Sequence, residues 1–191
     1  MKVIAMALMG LFAVAAGPKD ELKLGEAVPD VTMKDYDGKE IKLSDLRADA
    51  AAKREGQVVV VYFQSEKCPA AILPAEILKV ASAWADAKAG VKFVAVYAYA
   101  HDTEQTIGKF IKENKLDYSN VWDTDKKLRD HFGAKQVNTT FVLNKEGKLV
   151  YRGAFGTVNK KREVTKATVA EAVEAAKKGT EAPKSDGRFA G

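Results

Sequence analysis

The stretch Val58-Val59-Val60-Val61-Tyr62-Phe63-Gln64-Ser65-Glu66-Lys67-Cys68-Pro69 decides the fold. Its first six residues are β-branched or aromatic with no polar interruption, the pattern of a central strand buried on both faces. Past Pro69 the period changes. Ile72, Leu73, Ile77, Leu78, Val80, Ala81 and Trp84 fall on one broad helical face. Pro69 suits a first helical turn, and Pro74 inside the run should kink or restart the helix. The expectation is a buried strand that ends in a polar loop and enters a helix at Cys68-Pro69.

Upstream, Val28 to Met33 and Ile41 to Leu43 flank Asp35-Tyr36-Asp37-Gly38-Lys39, where Asp-Gly marks a hairpin. Ser44 reads as the N-cap of a short helix over Asp45-Leu46-Arg47. The Ala-rich, charged segment from Ala48 to Gly56 reads as a helix end or loop. Downstream, Gly90 closes the first helix and Val91 to Tyr99 forms a second apolar strand. A helix runs from Asp102 to about Asn114, with Asp102 and Gln105 spaced as a capping box. Val121-Trp122-Asp123 is a short strand, and Asp125 to Phe132 is a short helix stopped by Gly133. Thr139 to Leu143 and Lys148 to Arg152 pair as strands around the turn Asn144-Lys145-Glu146-Gly147. Thr165 to Lys178 is an Ala-rich last helix. Strands alternating with helices, closed by a hairpin, predict an α/β sandwich: a mixed central sheet flanked by helices, with an N-terminal β-hairpin.

The chain has 191 residues, about one domain's worth, and a single cysteine. One cysteine excludes an internal disulfide, a cysteine zinc cluster and a dithiol couple within this sequence. With two scattered histidines, His101 and His131, it argues against a copper or zinc site. No cofactor is expected. Net charge is +5, and the densest basic cluster is Lys160-Lys161-Arg162, which reads as a solvated loop. No aromatics interleave with it, so no nucleic-acid partner is expected.

Met1 to Ala16 read as a secretory signal peptide: one lysine, a short apolar run and the small-residue pattern Ala13-Val14-Ala15. The run is shorter than the roughly 20 residues of a bilayer span. The expected organisation is therefore a signal peptide over 1–16, one domain over 17–178 and a loose tail over 179–191. An exported protein, periplasmic or extracellular and with no stable membrane span after cleavage, follows.

Cys68 has two readings. As a small buried hydrophobe it is inert. At a strand-to-helix junction it meets unpaired N–H groups and the positive end of a helix dipole, which lower a thiol pKa from its free value of about 8.5. Lys67 adds a cation that Glu66 partly offsets, and Ser65 could hydrogen-bond the sulfur or an oxidant.

From Phe63 to Pro69 the sequence resembles the thioredoxin-fold redoxins, especially the peroxiredoxin-like alkyl hydroperoxide reductase/thiol-specific antioxidant group. Gly25-Glu26-Ala27-Val28-Pro29-Asp30, Asp37-Gly38-Lys39, Leu43-Ser44-Asp45-Leu46 and the segment from Thr139 to Gly153 carry the likeness further, over roughly Gly25 to Gly153. Two positions depart from it. The redox motif reads Cys68-Pro69-Ala70-Ala71, with alanine for the second cysteine. The place where such proteins usually carry a cis-proline opposite the active cysteine is Asn138, expected to be trans because a cis non-proline bond costs about 3–4 kcal/mol. The resemblance implies Cys68 as nucleophile, with Ser65, Lys67, Pro69, Asn138, Thr139 and Arg152 as supporting residues. It implies a peroxide or protein-disulfide substrate and an external thiol reductant. A mixed-disulfide exchange partner and a non-catalytic binding module are the alternatives.

Overall fold

The computed structural model describes residues 22–84 and 89–184; the expected signal peptide and most of the expected tail lie outside this range. The run from Val58 forms β3 (Val58–Gln64), every residue of it buried. It pairs in parallel with β4 (Val91–Tyr97) and antiparallel with β6 (Thr139–Leu143). With β5 (Ser119–Trp122) beyond β4 and β7 (Leu149–Ala154) beyond β6, these strands make a five-stranded mixed sheet, order β5-β4-β3-β6-β7. A strand with neighbours on both sides and helices on both faces must be apolar throughout, which is the reason for the unbroken valine run.

Successive residues of β3 feed opposite cores. Val58, Val60 and Tyr62 pack with Ile77 of α1 (Pro74–Ala81), Ile107 of α2 (Glu104–Asn114) and Val173 of α4 (Thr168–Lys178). Val59, Val61 and Phe63 face α3 (Lys127–Phe132) and the N-terminal hairpin β1 (Thr32–Lys34) and β2 (Glu40–Lys42). Phe63 meets Phe132 and Phe141 edge-on, at centroid distances of 6.1 and 5.8 Å, a favoured aromatic geometry. No helix of the described residues is long and apolar enough to cross a membrane.

The N-terminal hairpin, the closing hairpin β6–β7 and the mixed sheet agree with the sequence. Four local expectations need correction. The first helix begins at Pro74, not at Pro69. Leu73 is extended (ψ 137°), as a residue before proline prefers, and Pro74 takes the first helical turn. Ser44 does not cap its short 3₁₀ turn through its side chain. The capping box of α2 is Thr103 with Thr106, because Asp102 is committed elsewhere. Finally, Val164–Lys166 is not helical. It forms β9, paired with β8 (Thr157–Val158) in a small ribbon between β7 and α4.

Candidate functional site

β3 delivers the chain to the edge where the parallel strands β3 and β4 end, where ligands of open α/β sheets commonly bind. Beyond Gln64 the backbone leaves the sheet, and Cys68, a partly exposed free thiol, opens a turn in which the Ala71 N–H donates to the Cys68 carbonyl at 3.0 Å. This turn stands where the sequence suggested a helix start. The helix dipole acts within its first turn, and Cys68 lies six positions before Pro74, so that argument for thiol activation does not apply.

A turn without a helix behind it must satisfy its backbone groups by other means. Asn138, 2% exposed, does most of this. Its Nδ2 donates to the Ala70 carbonyl at 2.8 Å, and its Oδ1 accepts from the Ile72 N–H at 3.2 Å and from the Tyr62 hydroxyl at 2.8 Å. Its own N–H donates to the Phe63 carbonyl, and its carbonyl accepts from the Phe155 N–H. Asn138 adopts left-handed backbone (φ 63°), which asparagine tolerates better than most residues, and no peptide bond of the described residues is cis. The residue standing in the proline position therefore ties the Cys68 turn to the sheet with its side chain.

Ser65 does not face the sulfur as a free donor. Its hydroxyl donates to Asp102 Oδ1 at 2.9 Å. Asp102 also accepts from the Glu66 and Tyr99 N–H groups, so the β4–α2 loop holds the approach to Cys68. Burial pushes the Asp102 carboxyl above its usual pKa, and these hydrogen bonds pull it only partly back. A carboxyl that binds its proton more tightly folded than unfolded weakens the fold above its raised pKa. That penalty fades as pH falls through the raised value. We expect the stability of the wild type, relative to an Asp102→Asn variant, to improve as pH drops from neutrality to about 4, in urea titrations.

Lys67 is exposed and lies 3.8 Å from Glu66. Burial pushes the phenols of Tyr62 and Tyr99 up. Tyr99 has a buried hydroxyl with no hydrogen-bond partner. Thr139 is buried, donates to the Gln136 carbonyl at 2.7 Å and pairs with Phe63 in the sheet. Arg152 sits in the edge strand β7 opposite Phe141, two strands from β3. A basic residue that reaches the turn is Arg162, from the β8–β9 ribbon: its Nη1 donates to the Pro69 carbonyl at 3.3 Å and lies 3.5 Å from that of Ala71. Arg162 and Asp102 were missed as site residues because both contacts are tertiary. The sequence signal for Arg162 was its place in a tight Asn-Lys-Lys-Arg-Glu turn.

No cluster of three or more potential metal ligands exists among the described residues. A cavity of about 550 Å³ opens beside Lys42, Trp84, Lys92 and Tyr118, and Cys68 is not among its lining residues.

Chemically, the site offers one partly exposed sulfur on a side-chain-braced turn, the one cysteine of this sequence. The model of the AhpC/TSA family matches residues 24–152. The chain is similar to the thiol-disulfide oxidoreductase ResA of Bacillus subtilis, with 30% identity over 72% of this chain and 70% of that protein. It is also similar to the chloroplastic peroxiredoxin Q of Populus jackii, with 32% identity over 69% of this chain and 61% of that protein. In fold it is similar to a hypothetical protein of Sinorhizobium meliloti 1021, with a TM-score of 0.71, 23% identity and coverage of 86% of this chain and 89% of that one. The family match begins just before the N-terminal hairpin and runs into the closing strand, taking in the Cys68 turn and Asn138 between them. The chain thus belongs to the AhpC/TSA family of thioredoxin-fold, thiol-dependent redox proteins.

Proposed function

We propose that this protein is an exported thiol-dependent oxidoreductase of one-cysteine type, with Cys68 as nucleophile. The Cys68 thiolate attacks one oxygen of a hydroperoxide, the O–O bond breaks, and the other oxygen leaves as hydroxide or alkoxide and takes a proton. Cys68 becomes a sulfenic acid. An external thiol then attacks that sulfur, expelling water and forming a mixed disulfide. A second thiol resolves it, returning Cys68 reduced and leaving with the first thiol as a disulfide. The observation that carries this reading is the partly exposed Cys68 on a braced turn, with buried Ala71 in place of a resolving cysteine. Export rests on the N-terminal sequence; mass spectrometry of the mature protein should find its first residue at about Ala16 or Gly17.

The experiment is peroxide consumption by the purified protein with dithiothreitol as reductant. A sulfenate-specific reagent should label Cys68 after peroxide treatment and before the reductant is added. No labelling, with peroxide loss at the buffer rate, would remove the peroxidase reading. A Cys68-linked adduct trapped in cells, in that case, would favour a mixed-disulfide exchange partner.

A further inference from the structure

The basic cluster Lys160-Lys161-Arg162 is not a detached solvated loop. Asn159 shapes it into a tight turn: Asn159 Oδ1 accepts from the Lys161 and Glu163 N–H groups at 2.9 and 3.1 Å, and its Nδ2 donates to Glu163 Oε2 at 2.7 Å. The turn is fastened to the Cys68 side of the molecule at two points. Arg162, in left-handed backbone (φ 63°), contacts the carbonyls of Pro69 and Ala71. The Val164 N–H donates to Glu76 of α1 at 3.0 Å. A non-glycine residue held in that conformation signals a turn whose shape is imposed by what it contacts.

The outcome is a basic rim on one side of a partly exposed thiol. Lys67, Lys160, Lys161 and Arg162 are all exposed. Glu66, Glu76 and Glu163 offset part of this charge, with Glu66 beside Lys67 and Glu76 beside Lys79, so five basic residues against three glutamates leave the rim positive. Asp102 is buried beneath Ser65. Exposed charges of one sign around a reactive centre raise the local concentration of oppositely charged reactants, an effect that salt suppresses.

We infer that the thiol partner of Cys68 is anionic: a peptide or small molecule carrying carboxylates close to its sulfur. This rests on Cys68 being the reacting thiol. The exchange step is balanced by the partner's own disulfide. Cys68 thiolate attacks one sulfur, the S–S bond breaks, a mixed disulfide forms and the other half leaves as thiolate.

The test measures the rate of Cys68 with three disulfides: dianionic dithiobis(nitrobenzoate), neutral dithiodipyridine and dicationic cystamine. Each rate is normalised to that of a neutral free thiol with the same disulfide. At low ionic strength the normalised rates should rank anionic, neutral, cationic, with about tenfold between the extremes, and the spread should collapse at about 0.5 M salt. A Lys160→Glu/Lys161→Glu variant should narrow the spread. The same charge change at Lys145 and Lys148, in the β6–β7 turn at the other end of the sheet, should leave it intact. Equal normalised rates, or a spread indifferent to salt, would overturn the inference while leaving Cys68 as the thiol. This wild-type comparison stands even if the variant fails to fold. No reaction with any disulfide would remove the thiol reading, and this inference with it.

Discussion

Replacing Asn138 with alanine should lower stability by about 3–5 kcal/mol, far more than a typical point substitution. Three partners lose their bonds at once: the buried Tyr62 hydroxyl and Ile72 N–H, and the half-buried Ala70 carbonyl. Each buried polar group left unpaired costs about 1–3 kcal/mol, and relaxation or water entry recovers part of the sum. Alanine also tolerates φ 63° less well than asparagine, adding about 1 kcal/mol. Urea unfolding measures the loss. Hydrogen exchange should show faster opening at Ile72, whose N–H loses its acceptor.

Asn138→Pro is the sharper form of the same prediction. It installs the residue that thioredoxin-fold relatives usually carry, yet it should be worse than alanine. Proline fixes φ near −65°, opposite in sign to the value here, and removes the N–H that donates to Phe63. A proline variant as stable as the wild type would show that the side-chain brace is not what holds this turn.

The two buried cores could be read from the sequence because periodicity is a local signal. The valine run, the Asp37-Gly38 turn and the closing hairpin around Asn144 to Gly147 all appear as expected. The position of Cys68 relative to α1 was misjudged, although the decisive signal was local too. Leu73 precedes a proline, and such residues avoid helical backbone, so the helix had to start at Pro74. The end of β9 was absorbed into the last helix because the Ala-rich period of Thr168 to Lys178 can be extended backwards over Thr165-Lys166. With β-branched Val164 and Thr165 side by side, the segment suits a short strand equally well.

The candidate site is a different matter. Cys68 was identifiable by its count of one. What surrounds it was not. Ser65 meets Asp102 across 37 positions, Asn138 meets Ile72 across 66, and Arg162 meets Pro69 across 93. No spacing rule predicts such pairs. The first makes Ser65 an anchor for the β4–α2 loop, and the last brings Arg162, not among the expected site residues, to the turn.

Cys68→Ser should abolish peroxide turnover and mixed-disulfide formation while leaving the fold intact. The sulfur is partly exposed, and serine is close to isosteric. The turn is held through the backbone groups of Ala70, Ala71 and Ile72, which the substitution does not touch. Unchanged circular dichroism and a melting temperature within about 2 °C of wild type would accompany complete loss of activity. A Cys68→Ala strain with unchanged cellular function would favour the non-catalytic binding module instead.

The most direct measurement is the second-order rate constant for oxidation of Cys68 by hydrogen peroxide, followed by stopped flow against free cysteine at the same pH. The proposed peroxidase function requires a rate above that of the free thiol. It also predicts a single sulfenate at Cys68 that disappears on adding an external thiol. A rate equal to or below that of free cysteine would contradict the claim that this turn holds a reactive thiol.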